Sequence, residues 1–268
     1  MIFLTDSEYA EIAARIKKDY AIDMAKKKSL VENRLNSVLI SKGFDNYKKY
    51  FEMVFNDKSG VEMNTVLGKI TTNHTSFMRE KDHFEFFMNT VLPNWENNCK
   101  TNELRMWCAA SSTGEEPYNL AMCVSEYLGS KKSKYDTKFL ASDISLRVLE
   151  KAKEAIYAPE TVATLPAEWV RKYFNKLPDG NFQVCTALRN EVIFRQINLQ
   201  SQLKFKGNLD IIFCRNVMIY FDSQTKDELV TKFYDLLKPG GYLIIGHAES
   251  INKDKAKLKY VKPSIYQK

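Results

Sequence analysis

The sequence predicts an α/β fold built on a parallel sheet, with a helical domain before it. Three observations carry this. The apolar period is helical up to about Asn89 and turns strand-like after Glu103, strand-like and helical runs then alternate, and the alternation breaks only between about residues 157 and 191. The expected layout is an all-helical domain over 1–75 and a second domain over 76–268, with an inserted subdomain at about 157–191.

A chain of 268 residues can bury one full α/β core with a small helical unit beside it. Hydrophobic residues make up 44% and charged residues 27%, as in soluble globular proteins, so disorder and fibrous classes are excluded. No apolar run approaches the roughly 18 residues that span a bilayer. The first fifteen residues carry Asp6, Glu8, Glu11 and Arg15 where a signal peptide would be apolar, so a cytoplasmic, non-inserted protein is expected. The five cysteines form no CxxC pair, which suits reduced thiols in cytosol. Net charge is +7, but the lysines are spread along the chain, so charge alone makes a weak case for nucleic acid.

In the first part, one helix is expected from an N-cap at Ser29, with Glu32 at the capping-box position, to Ser41. Gly43 follows its end, and Val31, Leu35, Val38 and Leu39 form its apolar side. After Glu103 the runs RMWCAA and KFLAS read as strands. PYNLAMCVSEYL and the stretch through Leu146, Leu149 and Ala152 read as helices. The interruption is marked by Pro159, Pro166, Pro178 and Asp179-Gly180, and runs such as NFQVCTAL suggest a small antiparallel sheet. EVIFRQINL, LDIIFCRN, a helix from about Ser223 to Lys238 and the strand YLIIGH resume the rhythm. KLKYVKPSIYQK suits one antiparallel closing strand.

The segment ASSTGEEPYNLA, residues 110–121, ends a strand in small residues, turns at Gly114 and places Pro117 as a first helical residue. Small side chains let a ligand approach the backbone, but one glycine is too few for a phosphate cradle. Glu115 and Glu116 put negative charge beside the crevice, which suits an ammonium or sulfonium and opposes a pyrophosphate; a plain helix start with two acids on the dipole accounts for them equally well. Asp143 falls at the end of the next strand, where nucleotide sites place an acid for ribose hydroxyls, and serves equally as an N-cap. KITTNHTSFMRE, residues 69–80, is either a site wall rich in hydroxyls with Arg79, or a polar connector. CRNVMIYF, residues 214–221, carries Arg215-Asn216 and Tyr220-Phe221 past a strand end, at a crevice or in the core. The three histidines, His74, His83 and His247, are scattered, and no metal site is expected from them.

Taken in order, TTNHTSFMRE, WCAASSTGEEPYNLAM, ASDIS, INL, DIIFCRNVMIYFD and LKPGGYLIIGHAES closely resemble the chemotaxis receptor glutamate methyltransferases, the CheR family. The helical start from Tyr20 to Phe51 is similar to the family's N-terminal domain as well. The resemblance implies a Rossmann-like S-adenosylmethionine-dependent methyltransferase domain with a small inserted antiparallel β-subdomain. It implies S-adenosyl-L-methionine as cofactor, S-adenosyl-L-homocysteine as product and no metal. Residues matching the family's cofactor site are Asn73, Thr75, Arg79, Glu116, Asp143, Asn198, Leu199, Arg215 and Asn216. Arg79 and Tyr220 match the pair that faces the transferred methyl and the substrate.

The implied partner is the cytoplasmic helical region of chemotaxis receptors, met by a monomer, with Lys27 and Arg34 as docking cations seven residues apart on one helical face. His74 departs from the family's usual Glu or Leu, Met78 from a common Phe and Ala248 from the usual Ser. Neither of the last two removes a chemical group that the reaction needs. A methyltransferase of the same scaffold acting on another protein or RNA lacks support, because no Asn-Pro-Pro-Tyr-like motif is present. An inactive cofactor-binding module is disfavoured by the intact Arg79 and Tyr220.

Overall fold

A computed structural model of the chain describes residues 2–24, 27–71 and 73–268. Lys26, which precedes the docking candidate Lys27, and Thr72, in the segment KITTNHTSFMRE read above, lie outside the described residues.

Four helices open the chain: α1 (Asp6–Tyr20), α2 (Lys28–Ser41), α3 (Tyr47–Asn56) and α4 (Val61–Ile70). They bury one core, with Ile16, Leu35, Tyr47, Tyr50 and Val66 fully enclosed. Helix α1 starts on a capping box between Thr5 and Glu8. Helix α2 buries Val31, Leu35, Val38 and Leu39 as their spacing requires. Its end is a Schellman turn: Gly43 takes a positive φ and donates to Ile40 O, and Phe44 N donates to Leu39 O. Its start differs from expectation. The helix begins at Lys28 with Lys27 as cap, and the Glu32 carboxylate accepts Leu4 N at 3.1 Å instead of closing a capping box on Ser29.

A bent helical stretch follows, α5 (Lys81–Phe86) running through a π-helical turn (Phe87–Val91) into α6 (Leu92–Asn98). The sheet elements are β1 (Met106–Ala109), β2 (Phe139–Asp143), β6 (Val192–Gln196), β7 (Leu209–Cys214), β8 (Leu237–Ile245), β9 (Lys259–Lys262) and β10 (Ile265–Gln267), in the order β6-β2-β1-β7-β8-β10-β9. The first five of that order are parallel, and β10 and β9 add antiparallel. Helices α7 (Glu115–Leu128), α8 (Leu146–Glu154) and α12 (Ser223–Leu236) are the crossovers. Because both faces are covered, strand side chains of either parity are apolar. Cys108, Ile211 and Phe213 pack with α7, while Trp107, Ile212 and Cys214 pack with α12.

The interruption holds β3 (Ile156–Tyr157), α9 (Pro159–Val162), α10 (Ala167–Tyr173), β4 (Phe174–Lys176), β5 (Phe182–Val184) and α11 (Thr186–Arg189), with a three-stranded antiparallel sheet ordered β3-β5-β4. Three further expectations need correction. Helix α7 begins at Glu115, so Pro117 is its third residue; that position still lies in the first turn, where no intrahelical N–H bond is lost. Strand β8 begins at Leu237, before Pro239-Gly240-Gly241. The closing run is a hairpin of two strands, because Ser264 takes a positive φ and lets the chain reverse after Lys262.

Candidate active site

One pocket opens at the carboxyl ends of β1, β2, β6 and β7, and the end of α1, Thr71 and the segment 73–79 close its other side. This is the crevice that parallel α/β sheets offer to ligands. Every residue expected to hold the cofactor lines it: Asn73, Thr75, Arg79, Glu116, Asp143, Asn198, Leu199, Arg215 and Asn216. Tyr220 lines it too.

The wall after β1 is a strained loop, with Ala110, Ser112 and Gly114 all at positive φ. Gly114 is required twice over. Its φ is +99°, and a Cβ there would lie 2.9 Å from Tyr157 Oη and 3.0 Å from Ala152 Cβ. Tyr157 Oη donates to Thr113 O at 2.9 Å and holds the loop from the inserted subdomain. Asp143 at the end of β2 is buried and accepts Ser112 N at 2.9 Å and Ser145 N at 3.0 Å. Burial pushes its pKa above the usual range, against the pull of those amides. Two oxygens bound once each leave lone pairs for further donors.

Glu116 accepts Arg215 Nη1 at 2.5 Å on one oxygen, while Cys108 Sγ stands 3.3 Å from the other. Glu115 does not line the pocket, since its carboxylate turns to Thr113 Oγ1 at 2.7 Å and is buried. Of the two acids expected beside the crevice, only Glu116 therefore reaches it. Arg215 also donates to Arg79 O at 2.5 Å and Glu80 Oε2 at 3.0 Å, with its guanidinium 5.4 Å above the Phe84 ring. Burial disfavours its charge, and the Glu116 and Glu80 carboxylates overcome that and hold its pKa above the ordinary arginine value.

Asn198 ties the pocket to the helical unit by donating to Asp19 O at 2.8 Å. Tyr220 makes a second tie, its carbonyl accepting Asp23 N at 2.9 Å, and Lys27 Nζ lies 4.7 Å above its ring. Arg79 Nη1 donates to His74 O at 2.7 Å, which folds the side chain along the rim. Arg34 sits below that rim and donates to Lys69 O and Thr71 O at 3.1 and 3.0 Å. Lys27 and Arg34 therefore differ in place: Lys27 stands over the ring of Tyr220, which lines the pocket, and Arg34 supports the segment that leads into it.

Several residues were missed by sequence reasoning. Tyr20 and Ile22 line the pocket from the end of α1, and nothing in the sequence around them singled them out. Glu80 was read only as the end of a motif, yet its carboxylate joins Arg215, Asn216 and His83.

The histidines also need correction, because His83 and His247 meet edge to face at 4.6 Å beside Glu80. The group makes a poor metal site. Glu80 already accepts from Arg215, Asn216 and the His247 amide, and the Arg215 guanidinium opposes a second cation. Burial, then Arg215, pushes the His83 pKa down to about 4.

Residues 73–266 match the family model described as the CheR methyltransferase SAM binding domain, and residues 7–71 match the CheR methyltransferase all-alpha domain. The chain belongs to the CheR methyltransferase family. A chemotaxis protein methyltransferase of Borreliella burgdorferi is 39% identical, over 100% of this chain and 96% of that protein. Proteins of the same name from Salmonella typhimurium and Escherichia coli are 35% and 36% identical, each over 93% of this chain and 85% and 86% of their own lengths.

For a CheR protein the cofactor is S-adenosylmethionine, and the pocket suits it. Ser111 Oγ and Arg215 Nε are buried on the lining without a partner among the described residues, ready to donate to a ligand's acceptors. Asp143 and Glu116 supply the complementary acceptors. No helix among the described residues is long and apolar enough to cross a membrane.

Proposed function

We propose that this chain methylates glutamate side-chain carboxylates on the cytoplasmic helical region of chemotaxis receptors, forming glutamyl methyl esters and S-adenosyl-L-homocysteine in the cytoplasm. The observation that carries this is the convergence of Arg79 and Tyr220, far apart in the chain, on the pocket that also holds Glu116 and Asp143. The relatives' shared name supports the chemotactic setting.

When bound, S-adenosyl-L-methionine supplies an electrophilic methyl on a sulfonium. Asp143 would hold its ribose hydroxyls and Glu116 its ammonium. Asn73, Thr75, Asn198, Leu199, Arg215 and Asn216 would complete the cradle. The acceptor glutamate, with an ordinary pKa of about 4.3, is an anion at neutral pH and needs no general base. The protein's task is alignment and exclusion of water, worth roughly 7 to 11 kcal/mol when geometry is right.

Arg79 would orient the acceptor carboxylate. One of its five N–H donors is given to His74 O, so a single contact to substrate avoids the tight clamp that would blunt a nucleophile. Tyr220 would close the other side. In this reading residues 1–75 form the recognition unit and 76–268 the transferase unit. Lys27, over the Tyr220 ring, would bring positive charge to an acidic receptor helix, and Arg34 would shape the segment behind it.

The test is incubation with labelled S-adenosylmethionine and receptor cytoplasmic fragments. Base-labile label on the fragments is expected, and its absence would overturn the reading.

A further inference from the structure

A buried carboxylate stands behind the pocket and takes no part in the chemistry proposed above. Glu249, in the turn after β8, is 8% exposed. Its Oε2 accepts Asn216 N at 2.9 Å and Gly246 N at 2.6 Å, and its Oε1 accepts Met218 N at 2.6 Å. A buried anion is tolerated when hydrogen bonds replace its water, and here every donor is main chain. Two of the three belong to the turn that carries Arg215, Asn216 and Val217 into the pocket and leads directly to Tyr220.

That turn is strained. Asn216 has φ +59°, a conformation that a non-glycine residue keeps where its surroundings hold it. Gly246 presses on it from the far side, since a Cβ there would lie 2.5 Å from Asn216 Nδ2 and 2.9 Å from Asn216 N. Asn216 Nδ2 donates in turn to Glu80 Oε1 at 3.1 Å, on the residue next to Arg79. A continuous set of contacts therefore runs from Glu249 through Asn216 and Glu80 to the two residues assigned to the transfer step.

We propose that Glu249 is a positioning residue for methyl transfer, whose carboxylate gathers the amides of the Asn216–Met218 turn and so sets Tyr220 against Arg79. The inference rests on the proposed function. Only a carboxylate of this length presents acceptors at both ends. Glutamine keeps the volume but turns an NH₂ group toward backbone N–H donors, and aspartate is one methylene short.

The experiment uses full-length Glu249→Gln and Gly246→Ala proteins. The second pushes the same turn from the other side and leaves the carboxylate intact. Single-turnover methyl transfer at saturating S-adenosylmethionine, normalised to folded protein, is expected to fall about 100-fold in both, the scale of a misplacement near 1 Å. The KM for receptor fragments should stay at the wild-type value.

A carboxylate that only stabilises the fold would lower the melting temperature and leave that normalised rate unchanged, which would overturn the proposal. If Glu249→Gln does not fold, Gly246→Ala decides, and a wild-type rate in it overturns the role. Wild-type protein without methyl transfer would remove the reaction itself. Wild-type transfer with undiminished rates in both variants would remove only the role of Glu249.

Discussion

Arg215 reaches across the crevice to Glu116, its Nη1 2.5 Å from Oε2 although the two residues are 99 apart in the chain. Their side chains are 1% and 14% exposed, so the two opposite charges face each other largely shielded from bulk solvent. Breaking such a pair leaves an uncompensated charge, at a cost of about 3 kcal/mol or more. Glu116→Gln should lose about 3 kcal/mol in urea denaturation, the low end because Glu80 still faces Arg215. It should also bind S-adenosylhomocysteine more weakly by calorimetry. Unchanged values in both measurements would remove Glu116 from the site.

Asp143→Ala should weaken binding of S-adenosylhomocysteine by about 1.5 to 3 kcal/mol, the range for hydrogen bonds to a charged group. The carboxylate also holds Ser112 N and Ser145 N, so the variant is to be compared by melting temperature as well as by calorimetry. A folded variant with wild-type affinity would show that Asp143 serves only the loop.

The reach of sequence reasoning follows from how far each signal travels. Alternating runs revealed β1, β2 and β7 because buried parallel strands must be apolar on both faces, and the glycine and prolines marked the turns. Asp143 and Glu116 were legible because a strand end and a helix start are local events. Glu80 and Glu249 were not, since Arg215 and Asn216, the partners that tie them to the site, lie 135 and 33 residues away and nothing in the local sequence separates either carboxylate from a solvated acid. The histidine pair was missed for the same reason: spacing along the chain does not report that α5 and the end of β8 meet. Lys27 and Arg34 share a helical face by count, but Arg34 is drawn to the carbonyls at the end of α4, which periodicity cannot show.

His83 gives the fold a pH dependence. Its pKa falls from 6.5 to about 4 on folding, so the unfolded chain binds the extra proton. Stability from this residue is full above about pH 6.5 and is lost as pH falls toward 4, a change of about 3 kcal/mol. His83→Phe should flatten the stability profile over that window in urea titrations. An identical slope in both proteins would locate the titration elsewhere.

Lys27 and Arg34 should separate in their effects. Lys27→Met removes the cation above Tyr220 and is expected to slow methylation of receptor fragments, most at low salt, with binding of S-adenosylhomocysteine unchanged. Arg34→Ala should lower stability by about 1 kcal/mol, because it frees the Lys69 and Thr71 carbonyls. Equal rates for Lys27→Met and wild type at low salt would remove Lys27 from receptor docking.

Arg79 and Tyr220 should act on the chemical step. Tyr220→Phe keeps the ring beneath Lys27 and removes only the hydroxyl, so a loss of about tenfold, equivalent to one hydrogen bond of roughly 1.4 kcal/mol, is expected in single turnover. Arg79→Ala removes the orienting cation and should cost about 100-fold. Single-turnover measurement matters here, because it separates the transfer from release of product. Since the acceptor carboxylate is ionised well below neutrality, the wild-type rate at saturating substrates should be flat between about pH 6 and 8, and neither variant should acquire a slope. Wild-type single-turnover rates in both variants would remove the roles assigned to the pair. A rate that rises tenfold per pH unit would require a base, and His74, whose carbonyl holds the Arg79 guanidinium and which lines the same pocket, is the residue to replace first.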